Sequence, residues 1–267
     1  LCLVLKELSE RMGFSLAAVH VEHGIRRDES VRDMEFVRAL CARFGIPLAV
    51  ARVDVPGYAG ERKLGLEEAA RILRHEEFAR AALAFEGTAG GGRKKIALAH
   101  HREDNAETVL MALVRGTGLD GLCGIAPVRE GMVCYVRPLL NEGREDIEAF
   151  LRLRGQAYCE DSTNLDVSYR RNFLRREVFP MLAEMNPQAV IHMNRTAEQL
   201  LELRSYVEEV AASAYAQAVS RNAAGELWLD LESLSALPKA IRMRVLHRAL
   251  GEAAGGRKDI GAVHIEA

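Results

Sequence analysis

The sequence predicts an α/β fold in which a parallel, doubly wound sheet is followed by a mostly helical second domain. Predicted strands alternate with amphipathic helices along the first part of the chain, and such alternation is typical of parallel sheets. The alternation is then lost, and a long helix begins. Hydrophobic residues make up 49% of the 267 residues, which is enough for a sizeable core. We therefore expect an α/β domain over residues 1–186 and an incomplete helical domain over residues 187–267.

Helix boundaries are set by apolar residues at helical spacing and by glycine or proline at the ends. For example, the helix predicted over Asp28–Phe44 ends at Gly45-Ile46-Pro47. Glycines predict a loop over Gly57–Gly65, and Gly118–Pro138 is predicted to be mostly loop. The predicted strands are Ser15–Glu22, Leu48–Val53, Ile96–Ala99, Met132–Val136 and Glu226–Leu231. The other predicted helices begin at Leu1, Leu66, Glu103, Arg144, Glu177, Asn186 and Pro238.

Charge and cysteine content disfavour several classes of protein. A net charge of -2 gives no global signature of a nucleic-acid-binding protein, although four arginines are clustered locally. The five cysteines contain no CxxC pair, which disfavours a structural zinc site or a disulfide framework and fits a cytoplasmic protein. No apolar run is long enough to span a membrane. The clustered arginines are Arg170, Arg171, Arg175 and Arg176.

The strongest chemical signal lies in Ile96–Gly124, where a predicted strand meets a helix. His100 and His101 follow the strand, and acidic residues open the helix. The carboxyl end of a strand is the usual ligand-binding edge of an open α/β sheet. Asp104 and Glu107 are three residues apart and share one helical face, where two carboxylates can hold Mg²⁺ or grip an ammonium group. The alternative is that these acids only complement the helix dipole.

Three further groups of residues are candidates for binding phosphate. Arg71 and Arg74 lie three apart on one helical face, although an ordinary solvated face has the same pattern. Arg115-Gly116 fits either a close approach to phosphate or a plain helix end. The turn at Asp161–Asn164 and the basic segment after it fit either a surface turn or a phosphate contact.

Six motifs in a fixed order resemble the tRNA(Ile)-lysidine synthetase family of the N-type ATP pyrophosphatase (PP-loop) superfamily. They occupy roughly the first 190 residues, and the later helical part adds little motif support. The six motifs are HVEHGIR (His20–Arg26), EEAARILRHEEF (Glu67–Phe78), LAHHREDNAETVLMALVRGTGLDGL (Leu98–Leu122), RPLL (Arg137–Leu140), EDSTN (Glu160–Asn164) and RRNFLRREVFP (Arg170–Pro180).

The resemblance implies a Rossmann-like fold of the adenine nucleotide alpha hydrolase type and a ligase reaction. In that reaction, L-lysine is joined to C2 of the wobble cytidine of tRNA(Ile), with ATP and Mg²⁺, through an adenylated cytidine. The product, lysidine, converts an anticodon that reads AUG into one that reads AUA. The resemblance also implies a cytoplasmic enzyme that is often a homodimer.

The resemblance assigns roles to residues of this chain. Asp104 and Glu107 would recognise lysine or help to bind Mg²⁺, and the two histidines would line the nucleotide site. The residues implied in catalysis are Asp104, Glu107, Arg171 and His100, with Asp104 as a Mg²⁺ ligand. Those implied in ATP binding are His101, Arg115, Gly116, Arg74 and Arg175. Those implied in tRNA binding are Arg71, Arg170, Arg176 and Asn172.

The chain departs from the family pattern at its beginning. The phosphate-binding loop of the superfamily, Ser-Gly-Gly-x-Asp-Ser, should come immediately before the first helix, but the chain begins at Leu1 within that helix. Such a loop holds pyrophosphate with backbone N–H groups. We expect that the sequence is a fragment cut at both ends. The alternative is a homologue that has lost catalysis.

Two other functions compete with this interpretation. One is a different PP-loop enzyme such as a tRNA thiolase, which usually carries paired cysteines that this chain lacks. The other is a catalytically inactive tRNA-binding module, which would keep the basic clusters without the acidic pair. Asp104 and Glu107 favour the ligase.

We predict that the 267-residue chain binds Mg·ATP weakly, because the loop that would hold the phosphates is not part of it. Isothermal titration calorimetry on this chain measures the affinity directly. Tight Mg·ATP binding would show that the nucleotide site does not need that loop.

Overall fold

The computed structural model describes residues 1–24, 27–85, 93–160 and 166–254, with backbone only for residues 27 and 28. These residues form two compact units. The first unit contains Leu1–Thr108 and Ile125–Ile191, and the second contains Val109–Gly124 and the chain from His192 onward. The first unit is therefore formed by two separate stretches of the chain. The domain boundary predicted after residue 186 stays a prediction.

The first unit begins as the predicted alternation of helices and strands. Strand β1 pairs with strand β2 in parallel, with Ala18 opposite Leu48 and Glu22 opposite Arg52. Parallel neighbours need a crossover, which α2 supplies. The elements are α1 (Cys2–Met12), β1 (Ala18–Glu22), α2 (Arg27–Arg43), β2 (Leu48–Arg52), α3 (Val55–Arg62), α4 (Leu66–Ala84), β3 (Lys95–Ala97), and α5 (Arg102–Val114), which continues into the second unit.

A second group of strands follows α5 and joins β3. Strand β5 pairs in parallel with β3 and antiparallel with β4, which gives the order β3-β5-β4. Cys134 and Tyr135 are buried, so β5 is the inner strand of this group. Within the described residues, β1 and β3 are not paired, and an apolar cleft of about 470 Å³ is lined by both strands. The new elements are α6 (Leu119–Leu122), β4 (Val128–Arg129), β5 (Cys134–Val136) and α7 (Arg144–Leu153).

Helix α3 corrects the loop predicted over Gly57–Gly65. The Asp54 side chain accepts a hydrogen bond from the Gly57 N–H at 3.0 Å and caps the helix, and Pro56 occupies its first turn. Both are standard helix-start features, and two glycines inside the helix obscured them. Val55 is fully buried against α4, so tertiary packing compensates for the poor helix propensity of the glycines.

A continuous helical segment closes the first unit. It consists of α8 (Arg170–Phe173), a π turn (Leu174–Val178) and α9 (Phe179–Met185). The helix predicted to begin at Glu177 therefore begins earlier. The predicted turn at Asp161–Asn164 lies outside the described residues.

The second unit is mostly helical, as predicted. Its core consists of small and branched residues, including Ala211, Ala214, Val245 and Ala249. The strand predicted over Glu226–Leu231 is present, and it forms a hairpin with a second strand that was not predicted, with Val219 opposite Leu229. Within the described residues, no helix is long and apolar enough to cross a membrane. The elements from His192 onward are the rest of α10 (Ala189–Ala218), β6 (Val219–Arg221), β7 (Leu227–Leu229), α11 (Leu231–Ala236) and α12 (Lys239–Ala253).

Candidate active site

The start of α5 is fixed by Asp104 acting as a capping side chain. The His101 N–H donates to Asp104 Oδ2 at 3.0 Å, and the Asn105 N–H donates to the His101 carbonyl at 3.2 Å. His101 is therefore the N-cap residue, and Asp104 provides the return bond of a capping box. The helix-start interpretation of Asp104 is correct, but it uses only one carboxylate oxygen.

The other oxygen of Asp104 faces a guanidinium that also contacts Glu107. Arg175 Nη2 lies 3.4 Å from Asp104 Oδ1 and 2.7 Å from Glu107 Oε1. Arg175 Nε donates to the same Glu107 oxygen at 2.8 Å. One cation thus joins the two carboxylates that the three-residue spacing placed on one helical face.

Glu107 is the most constrained charged group of the site. Its side chain is fully buried (0% exposed), and Oε2 has no hydrogen-bond donor. The half-exposed Arg171 lies beside this oxygen, with Nη1 4.0 Å from Oε2. Burial raises the pKa of Glu107, and the attraction of Arg175 opposes that rise only in part. The site therefore holds a carboxylate oxygen that can accept one more hydrogen bond.

The π turn presents Arg175 to these carboxylates. The Phe179 N–H donates to the Leu174 carbonyl, five residues back, instead of the usual four. Pro180 has no N–H to donate, so the α-helical ladder is interrupted at this point. Wide turns of this kind are often found at functional sites, and this one lies between α8 and α9.

The two histidines have different environments. His101 Nδ1 is 2.7 Å from Glu103 Oε2, and that oxygen also accepts the Arg144 N–H at 3.1 Å. Burial would raise the pKa of Glu103, but these hydrogen bonds lower it overall. His100 is half-buried, its Nδ1 has no partner, and burial lowers its pKa. At neutral pH, His100 is therefore a neutral imidazole with a buried Nδ1.

Sequence reasoning missed Asn105, which closes the loop after α6. It is buried at 4% exposure, and its Oδ1 accepts the Ile125 N–H at 2.6 Å. The sequence carried little signal for it, because Asn105 is one of several polar residues in the first half of α5. Its partner lies 20 residues away, a distance that no helical spacing indicates.

Other predicted residues lie outside this arrangement. Arg115 and Gly116 lie at the opposite end of α5 from Asp104, and Gly116 adopts a φ of 73° that closes the helix. The plain helix-end interpretation describes these two residues. Arg71 and Arg74 lie on α4, where both are exposed.

The residues of the basic segment after the predicted turn differ in their exposure to solvent. Arg170 and Arg176 are exposed. Asn172 is buried at 8% exposure, and its Nδ2 donates to the Asp166 carbonyl at 2.8 Å. The amide of Asn172 thus holds the chain immediately before α8, and the tRNA contact predicted for Asn172 stays a prediction.

The role of Mg²⁺ ligand predicted for Asp104 stays a prediction. Within the described ranges, no three His, Cys, Asp or Glu side chains are grouped as ligands for a metal ion. One oxygen of Asp104 accepts the His101 N–H, and the other faces Arg175. This environment suits a cationic amine better than Mg²⁺, which usually keeps several waters.

A model of the PP-loop domain matches residues 1–182. The chain belongs to the PP-loop family. The match includes the Asp104, Glu107 and Arg175 cluster and ends shortly before the helical second part.

Relatives of this PP-loop chain include curated tRNA(Ile)-lysidine synthases. That of Dehalococcoides mccartyi is 36% identical over 269 residues, which covers 98% of this chain and 56% of the relative. That of Parabacteroides distasonis is 45% identical over 190 residues, which covers 71% of this chain and 41% of the relative. The chain thus spans about half the length of the curated relatives that it matches.

A solved structure confirms the PP-loop fold. The U34-tRNA thiolase NcsA from Methanococcus maripaludis, with its [4Fe-4S] cluster, superposes with a TM-score of 0.58 at 15% identity. The similarity covers 73% of this chain and 66% of the thiolase. At this level of identity, the similarity bears on the fold alone.

We predict that Glu107→Gln changes how the stability of this PP-loop unit depends on pH. Because the folded state raises the pKa of Glu107, it binds that proton more tightly than the unfolded chain does. The free energy of unfolding of the wild type should therefore fall, relative to the variant, as pH rises from the ordinary glutamate value through the raised one. Urea unfolding at several pH values measures this difference.

Glu103→Gln is the matched control for that experiment. The pKa of the Glu103 carboxyl is lowered in the folded state. The wild type should therefore lose stability relative to this variant as pH falls through the lowered value. Parallel stability curves for the wild type and Glu107→Gln would contradict the burial of a titrating carboxylate.

We also predict that Arg175→Ala destabilises the protein by roughly 3–5 kcal/mol, because it leaves a buried carboxylate without its partner. The exposed Arg170→Ala should change stability by less than about 0.5 kcal/mol. Equal effects of the two substitutions on urea unfolding would show that the Arg175 contact does not stabilise the fold.

Proposed function

We propose that the intact protein is a tRNA(Ile)-lysidine synthetase. It joins L-lysine to C2 of the wobble cytidine of tRNA(Ile), with consumption of ATP. The names of the curated relatives support the reaction, and the acidic pair with its arginine supports the site. Because the chain spans about half of those relatives, the activity and substrates of the whole protein belong to this proposal.

The proposed reaction has two steps. First, the C2 oxygen of the cytidine attacks the α-phosphorus of ATP, and pyrophosphate leaves. Second, the ε-amine of lysine attacks C2, the C2–O bond breaks, and AMP leaves with the oxygen. The amine loses protons as the new C–N bond forms. Catalysis of the second step therefore needs a position for lysine, a proton acceptor and stabilisation of the leaving phosphate.

The arrangement of Asp104, Glu107 and Arg175 is the observation that carries the proposal. Arg175 contacts both carboxylates, which shows that a cation fits between them. Glu107 Oε2 is buried and lacks a donor, and an ammonium group would supply one. A substrate ammonium beside this oxygen would also compensate the buried negative charge. We therefore assign lysine recognition to Asp104 and Glu107.

One of these carboxylates, Glu107, would accept the proton of the attacking amine. The attacking amine must be neutral, so an ammonium bound here has to give up a proton. Glu107 has a raised pKa because of its burial, which makes it a better base than a solvated glutamate. Asp104 remains engaged by His101 and Arg175 and keeps the helix start in place.

Basic groups beside the acids would bind the adenylate. Arg171 is half-exposed beside Glu107, and guanidinium groups bind phosphate oxygens in a bidentate manner. The neutral imidazole of His100 has a free Nδ1 that can contact the nucleotide. Mg²⁺ accompanies ATP in this proposal, but no step is assigned to a metal ion at Asp104.

A tRNA thiolase, another PP-loop enzyme, is the alternative to the ligase. Three of the five cysteines (Cys41, Cys123 and Cys134) are buried, and the described residues contain no group of ligands for a cluster. Mass spectrometry of tRNA(Ile), incubated with the intact protein, lysine and ATP, separates the candidates. A gain of lysine at the wobble cytidine supports the ligase, a gain of sulfur supports the thiolase, and an unchanged tRNA contradicts both.

We predict that Asp104→Asn and Glu107→Gln each abolish lysidine formation by the intact protein, because each removes a charge that positions the amine. Glu35→Gln removes an exposed glutamate on α2 and should leave the activity unchanged. Circular dichroism checks that both site variants are folded. Near-normal lysidine formation by both variants would refute the assignment.

A further inference from the structure

Helix α4 presents three cationic or titratable side chains on one face. Arg71, Arg74 and His75 are spaced three and four residues apart, so they are neighbours on the helix surface. Both arginines are exposed, and no described carboxylate lies within ion-pair distance of either guanidinium. Arg80, further along the same helix, instead pairs with Glu77 at 2.5 Å. The α4 arginines are therefore not part of an ordinary ion-paired helix surface.

The hairpin of β4 and β5 brings a third arginine to the same place. Arg129 pairs in register with Tyr135, and its guanidinium carbon lies 4.5 Å from the centre of the tyrosine ring. The ring centres of Tyr135 and His75 are 5.1 Å apart, and the tyrosine hydroxyl donates to the His75 carbonyl at 3.5 Å. Tyr135 thus connects the hairpin to α4 and holds Arg129 beside the α4 arginines.

A fourth arginine follows β5. Arg137 Nη1 donates to the Ala126 carbonyl at 2.6 Å, and the Arg137 N–H donates to the Pro127 carbonyl at 2.9 Å. Its Nε is buried and has no hydrogen-bond partner, and the same is true of His75 Nδ1. Two buried nitrogens without partners therefore lie in the same cluster of cations, and unsatisfied buried groups of this kind call for an explanation.

The electrostatics of the cluster agree with its geometry. Burial is the largest cause that lowers the pKa of His75, and repulsion by the four arginines lowers it further. Burial and the repulsion of Arg129 likewise lower the pKa of Arg137. The like charges repel one another, and an anion bound among them would offset this cost.

We propose that these four arginines, Arg71, Arg74, Arg129 and Arg137, form a surface that binds successive phosphate groups of an RNA backbone. We call them the arginine surface. The identity of the RNA as the tRNA substrate rests on the proposed function, whereas the phosphate chemistry rests on the cluster itself. The family resemblance implied tRNA binding for Arg71 and ATP binding for Arg74, and Arg129 and Arg137 extend this pair.

The shape of the arginine surface favours a polyanion over a single nucleotide. Three of its arginines are exposed, and they lie on two different elements, α4 and the hairpin. The buried aromatic ring of Tyr135 is covered by Arg129 and His75, so it offers no face for stacking a base. Contacts without base stacking fit backbone recognition, in which arginines neutralise phosphates without reading sequence.

The arginine surface also adjoins the candidate active site. Arg137 follows Val136, whose carbonyl accepts the Leu98 N–H at 2.9 Å, two residues before His100. An RNA bound to this surface would therefore have its reacting nucleotide close to Asp104. The surface would hold the RNA in position, and the acidic pair would act on the amine.

The test is the salt dependence of RNA binding by the intact protein. Fluorescence anisotropy with tRNA(Ile), and with an unrelated tRNA, is measured over a series of salt concentrations for Arg71→Gln, Arg74→Gln and Arg129→Gln. Each variant should weaken binding of both RNAs and reduce the slope of log K against log salt by about 1. Arg80→Gln on the same helix is the matched control and should leave the slope unchanged.

The outcomes distinguish this inference from the proposed function. Unchanged slopes in all three variants would overturn the arginine surface, even if the wild type forms lysidine. Reduced slopes would support it, even if lysidine is not formed and the proposed function fails. ATP binding is measured in parallel. Variants that weaken ATP binding but leave the RNA slopes unchanged would assign the arginines to a nucleotide and overturn the inference.

Discussion

The buried contact between Glu107 and Arg175 is the constraint on which the candidate site depends. A carboxylate with no exposure to solvent is costly unless a cation lies beside it, and Arg175 is that cation. The contact joins α5 to the helical segment that closes the first unit, so the same interaction ties two distant parts of the chain together. It leaves Glu107 Oε2 without a hydrogen-bond donor from the described residues.

Asp104 has two roles that the sequence presented as alternatives. It caps α5 through the His101 N–H, and it faces Arg175 with its second oxygen. A carboxylate has enough lone pairs for both roles. The helix start is therefore fixed by the same group that contributes charge to the site, and a substitution at Asp104 affects position and charge together.

The sequence predicts the features that depend on neighbouring residues. The alternation of strands and helices, the start of α5 and the pairing of Asp104 with Glu107 on one face all follow from short spacings. The contact of Arg175 with Glu107 spans 68 residues, and no spacing rule indicates it. Helix α3 was not predicted, because its two glycines favour a loop more strongly than the cap at Asp54 favours a helix. Burial of Val55 stabilises the helix in the folded protein.

Because of the π turn, the position of Arg175 depends on the number of residues in this part of the closing segment. Its wider turn contains an additional residue, and this sets the direction in which Arg175 projects relative to Arg171. Deletion of one residue within Leu174–Val178 would remove the additional residue and rotate the residues after it by about a quarter of a turn relative to Arg171. Pro180 would still interrupt the helical hydrogen bonds, and the two arginines would no longer face Glu107 together. Insertions and deletions should therefore be rarer here than in the loops on either side.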